Sequence, residues 1–132
     1  RVVSYHPEVK SLVMVASPRT FRDILPEDPK LVRDHFRGLG IIRDGSFPKD
    51  LDKWYRGFLE VDPAHWLPFV NPRSVCIVHG DADATVPIEH AYALYKSAWE
   101  PKRLIVLEGA GHQLRKDPRI KGVIMDWLKE AR

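Results

Sequence analysis

At 132 residues the chain is long enough for one domain with a core and too short for two. With 44% hydrophobic and 30% charged residues, its composition is that of a folded globular protein rather than a disordered one. The single cysteine, Cys76, excludes an internal disulfide framework and a multi-cysteine zinc site, and a net charge of +3 without a basic block gives no reason to expect a nucleic-acid partner.

In chain order, Arg1 to His6 reads as the tail of a helix. Ser11 to Ser17 is a continuous apolar run closed by Pro18, as expected of a strand buried on both faces. Phe21 to Pro72 differs in character. It is rich in proline (Pro26, Pro29, Pro48, Pro63, Pro68 and Pro72), and it predicts short helices from Asp28-Pro29 to Gly38, from Asp50 through Leu59, and at Asp62-Pro63. So long a helical excursion between strands reads as an inserted cap over residues 21–72, leaving 1–20 and 73–132 as the core. Trp54, Tyr55, Phe58, Trp66 and Phe69 are expected to pack within it, and some could line an acyl pocket.

Val75 to Val78 is a second apolar strand, stopped by His79-Gly80. A helix follows Pro87, with Ile88, Ala91, Leu94, Tyr95 and Ala98 at helical spacing. Arg103 to Leu107 is the third strand, closed by Gly109 and Gly111. The last helix takes Asp117 as N-cap and Pro118 as its first residue, and Ile120, Val123, Ile124, Trp127 and Leu128 form its apolar stripe. Arg115, Lys116, Arg119 and Lys121 read as a solvated face close to His112, with room for an anionic substrate group. Strands alternating with helices predict an α/β sandwich around a parallel sheet. No apolar run approaches the roughly 20 residues that span a bilayer, so no membrane partner is expected, and the expected compartment is the cytosol.

In a parallel α/β sheet, ligands bind at the carboxyl ends of the strands. Two such ends carry polar groups: His79-Gly80-Asp81-Ala82-Asp83 after the second strand, and Glu108-Gly109-Ala110-Gly111-His112 after the third. Taken singly, Asp83 reads as a turn or cap residue, and Asp81 as solvent-facing or loop-stabilising. His79 reads as a local hydrogen-bonding group and Cys76 as a small core residue. Taken together, a carboxylate and an imidazole at neighbouring strand ends make the orienting half of a nucleophile–His–acid relay.

The pattern H-G-x-x-D-x-x-V-P, then G-x-G-H and a final amphipathic helix, resembles the C-terminal portion of the α/β-hydrolases. The resemblance covers Ser11 to Ser17 and Ser74 to Arg132. It implies a partial α/β-hydrolase sheet, made of the last three parallel strands with flanking helices and a helical cap. Asp83 would be the acid and His112 the base of a serine hydrolase acting on an ester, thioester or amide, with no cofactor or metal. The family's nucleophile is a serine in G-x-S-x-G, and Ser4, Ser11, Ser17, Ser46, Ser74 and Ser97 all lack that context. The resemblance therefore implies a nucleophile upstream of Arg1, and a chain inactive by itself. Its partners would be a small-molecule acyl substrate and either the missing N-terminal part of the same protein or a second copy, covering the exposed sheet edge.

Other readings use the same residues. Asp81-x-Asp83-x-Thr85 is similar to the first motif of the haloacid-dehalogenase phosphotransferases, which would make the protein a magnesium-dependent phosphatase. The short stretch after Asp83 holds Asp117 but no acidic pair to complete that site. His79-x-Asp81-x-Asp83 as a metal site lacks a second histidine cluster. Gly109-x-Gly111 as a dinucleotide loop lacks its third glycine and the βαβ unit. A hydrolase-fold remnant serving as an interaction module is the non-enzymatic alternative.

Overall fold

The computed structural model describes residues 2–131. The chain forms two compact units: one comprises the segments up to Arg19 and from Pro63 onward, the other Thr20–Asp62.

The first unit is built on a three-stranded parallel sheet: β1 (Ser11–Val15), β2 (Ser74–Gly80) and β3 (Lys102–Leu107), in that spatial order. β2 is central and its residues from Val75 to Gly80 are buried. Successive side chains of a strand point to opposite faces, and β2 builds a core on each. Val75 and Ile77 join Leu67, Val70, Ala91, Leu94 and Ala98 on one face. Cys76 and Val78 join Leu107, Ala110, Leu114 and Trp127 on the other. The helices behind these cores are α5 (Glu89–Ser97) and α6 (Arg119–Glu130), so helices cover both faces. A short helix, α1 (Val2–Tyr5), precedes β1. Another, α4 (Pro63–Trp66), runs into a 3-10 turn that buries Leu67 and Val70 against Val75 and Ile77. The residues after Asp62 thus pack with the sheet.

The strand and helix limits differ from the sequence expectation by a residue or two at several ends. β1 ends at Val15 because Ala16 adopts φ 47°, a left-handed conformation unusual for a residue with a Cβ. Its N–H still donates to Val78 O at 3.0 Å before the chain turns away. β2 does not stop at His79-Gly80 but continues through both, which stand opposite Val106 and Leu107. α6 starts at Arg119, one residue late, with Pro118 in the capping position. Asp117 nevertheless accepts the Arg119 N–H at 2.9 Å and binds its guanidinium at 2.6 Å. That guanidinium and amide hold the Asp117 carboxyl down to about 2.

Two cations tie the amino-terminal ends of the strands. The Arg73 guanidinium donates to the carbonyls of Val9, Val70 and His6. Lys102 Nζ donates to Tyr95 O and Ala98 O, satisfying carbonyls at the end of α5, where the helix dipole favours a positive charge.

The second unit holds α2 (Pro29–Gly38) and α3 (Leu51–Glu60), capped by Asp28 and Asp50 through the N–H groups of Lys30 and Lys53. Its interior is aromatic: Phe36, Trp54 and Phe58 meet edge to face. Its ends are clasped by one carboxylate. Asp62 accepts the Thr20 hydroxyl at 2.6 Å and the Phe21 N–H at 2.8 Å.

The loops after β2 and β3 approach each other at Gly80. A Cβ there would sit 2.6 Å from the Ala110 carbonyl carbon and still closer to its oxygen. Both neighbours are backbone, so they cannot rotate away. Gly80→Ala is therefore expected to push the 109–112 loop outward and destabilise the chain by about 1–3 kcal/mol, measured by denaturant unfolding. Burial pushes the Cys76 thiol up to about 11. Maleimide should accordingly modify Cys76 only in denaturant; labelling of the folded chain at neutral pH would contradict this packing.

Candidate functional site

The turn after β2 and the loop after β3 are held together by three polar contacts. Asp81 Oδ1 accepts the Gly109 N–H at 2.7 Å. The Ala82 N–H donates to Ala110 O at 3.1 Å. The third contact joins Asp83 to His112.

Asp83 has no exposed side-chain surface. A buried carboxylate needs donors to replace water, and the turn supplies them from its own backbone. Oδ1 accepts the N–H of Thr85 at 2.9 Å and of Val86 at 2.8 Å. Oδ2 lies 2.9 Å from His112 Nδ1 and 3.5 Å from His79 Nε2. Burial pushes the Asp83 carboxyl up, but the Val86 N–H, the His112 ring and the Thr85 N–H together outweigh it. The net effect holds Asp83 below the usual carboxylate range. Its ionised form therefore stabilises the fold at pH values above that range, and this contribution is lost as the pH falls through the lowered folded-state value.

His112 complements this. Its side chain is 41% exposed, so the pair joins a buried anion to an imidazole that solvent and ligands can reach. Since a carboxylate only accepts, Nδ1 carries the hydrogen, and Nε2 of the neutral ring keeps its lone pair. The imidazole borders a depression of about 420 Å³, lined by Val15, Ala16, Gln113, Leu114 and Arg115 as well. Such a ring can accept a proton at Nε2 while the carboxylate stabilises the resulting cation.

The structure thus brings together Asp83 and His112, the two residues singled out in the sequence. Asp81 is exposed and ties the loop through Gly109, and Cys76 lies in the core. Among the described residues, no group of three or more His, Cys, Asp or Glu side chains is placed to hold a metal ion. No helix among them is long and apolar enough to cross a membrane. Sequence reasoning missed the depth of His79, which is fully buried. The available signal was its place at the end of an apolar run whose neighbours are all interior.

No protein-family model matches the chain. Over 62 residues it is 36% identical to YfhR, an uncharacterised protein of Escherichia coli K12, an overlap of 47% of this chain and 20% of YfhR. Solved structures match over nearly its whole length. The esterase domain of a Rhodothermus marinus protein superposes with a TM-score of 0.67 and 19% identity, over 98% of this chain and 55% of that one. A monoacylglycerol lipase from Paleococcus ferrophilus gives 0.63 and 16%, over 98% and 63%. The α/β-hydrolase GrgF from Penicillium sp. sh18 gives 0.60 and 17%, over 98% and 58%. The chain spans a little over half the length of these structures. Three parallel strands between helices, superposing on α/β-hydrolases from end to end, identify its fold as part of an α/β-hydrolase.

Proposed function

We propose that Asp83 and His112 are the acid and base of a Ser-His-Asp relay that hydrolyses an ester, thioester or amide, with the serine supplied from outside this chain. The supporting observation is the 2.9 Å contact of His112 Nδ1 with a carboxylate that is buried, ionised and held by two backbone amides. In this reading His112 Nε2 takes the proton of the serine hydroxyl as the oxygen attacks the acyl carbon. Asp83 stabilises the imidazolium, and His112 then returns the proton to the leaving group. Water repeats the cycle on the acyl-enzyme and releases the acid.

β1 is hydrogen-bonded to a strand on one side only among the described residues. The strand carrying the serine is the partner proposed for its other side, and a small acyl compound is the substrate. The upstream part of the gene is then expected to encode G-x-S-x-G within roughly 15–30 residues of Arg1, one helix away.

In the complete protein, Asp83→Asn is expected to lower kcat by about 10³–10⁴-fold on a chromogenic ester, with the protein still folded but less stable, and His112→Ala to lower it comparably. An unchanged rate in Asp83→Asn would overturn the assignment and turn attention to Asp81. Because the Asp83 carboxyl is held below the usual carboxylate range, its own protonation should not limit the rate at pH values above that range. The 132-residue chain alone should neither hydrolyse esters nor react with a fluorophosphonate; labelling of the isolated chain would place the nucleophile inside it.

A further inference from the structure

His79 lies beneath the Asp83 turn with no exposed side-chain surface. Its Nε2 is 2.7 Å from Val86 O and 3.5 Å from Asp83 Oδ2. A carbonyl and a carboxylate only accept, so Nε2 carries the hydrogen, and the Val86 bond is the short one. In the neutral ring Nδ1 is then a bare lone pair in the interior, without a hydrogen-bond partner. A buried acceptor left unmet destabilises the fold, and an aliphatic side chain would fill similar space without that cost. The reason for a ring here lies with the other nitrogen.

That nitrogen holds the far end of the acid's own turn. The Val86 N–H donates to Asp83 Oδ1, and the Val86 carbonyl accepts from His79. One residue is thus gripped on both sides, by the carboxylate and by an imidazole rooted in the central strand opposite Val106. The carboxylate oxygen that His79 faces at 3.5 Å is also the one that takes the His112 hydrogen. The start of the turn is tied to the sheet by the Asp83 N–H on Gly80 O and the Ala82 N–H on Ala110 O, and the His79 bond ties its far end at Val86.

We propose that His79 is a positioning residue for the acid: from the end of β2 it anchors Val86, and through Val86 it fixes the Asp83 carboxylate in the orientation that binds His112. Its consequence for turnover rests on the proposed hydrolase function, but its geometric content does not, and the two are tested separately.

The geometric test is nuclear magnetic resonance on the chain with labelled histidine and aspartate. His79 is expected as the neutral Nε2–H tautomer. The Nδ1–H tautomer would overturn the proposal, since no donor would then face Val86; this measurement needs no variant. In His79→Met the low-field Nδ1–H signal of His112 should broaden or vanish. The Asp83 carboxyl should titrate at higher pH, because the amide bonds favouring its charged form slacken. His79→Gln, which returns an N–H to the same region, should restore both signals. A side chain that merely fills space would leave both unchanged in His79→Met, and that result would also overturn the proposal. In the complete protein, His79→Met should lower kcat by up to about 100-fold with KM nearly unchanged. A change confined to KM would argue against positioning. If the complete protein hydrolyses no ester at all, the resonance results still decide the role of His79, and only the hydrolase reading fails.

Discussion

A carboxylate with no exposed surface, lying at the end of the most buried strand, is the constraint on which the neighbouring structure depends. Desolvation of a charge is tolerated only where donors take the place of water, and for Asp83 they come from three directions. The Thr85 and Val86 amides require a tight turn just after β2. The His112 imidazole requires the loop after β3 to lie against that turn. That approach in turn requires a residue without a Cβ at Gly80, where the backbones of two segments nearly touch. Each of these features is local, and the burial of one negative charge makes them mutually necessary.

The sheet creates the opportunity. Parallel order brings the carboxyl ends of β2 and β3 side by side, and burial of β2 on both faces fixes their relative height. Val75 and Ile77 on one side, with Cys76 and Val78 on the other, are held by separate sets of side chains. A shift of β2 by one residue would exchange both sets at once. The register that aligns Gly80 with Leu107 is therefore defended by the whole core, well away from the groups whose spacing depends on it.

Much of this was legible in the sequence, for physical reasons. β2 shows as a short β-branched apolar run because a central strand covered on both faces leaves no polar side to alternate with, whereas β1 and β3 carry similar runs but are only partly buried. Asp28 and Asp50 announce helix starts because their carboxylates cap orphan amides. Asp83 and His112 were legible as a pair because each follows a strand that must end on the same edge of the sheet. What could not be read depends on depth and on close approach. His79-Gly80 looks like a strand terminator, yet both residues remain in the ladder; the apolar run before it hints at the burial of the ring, but the partner of its Nε2 leaves no trace in local composition. Gly80 looks like any loop glycine until Ala110 is seen against it. The early end of β1 turns on the backbone angle of one alanine, to which no propensity points.

The clasp at Asp62 reaches further than its two hydrogen bonds. It draws Thr20 and Phe21 to the residue that ends the helical insertion, while the Ala64 N–H donates to Arg19 O at 2.9 Å just outside it. The segment therefore leaves and rejoins the chain at nearly one point, as a closed loop whose ends are fastened on both sides of the junction. Loops closed in this way can change length at small entropic cost. A change in the length of residues 20–62 would thus fall on a loop already closed at its base, leaving the β1–β2 ladder as it is.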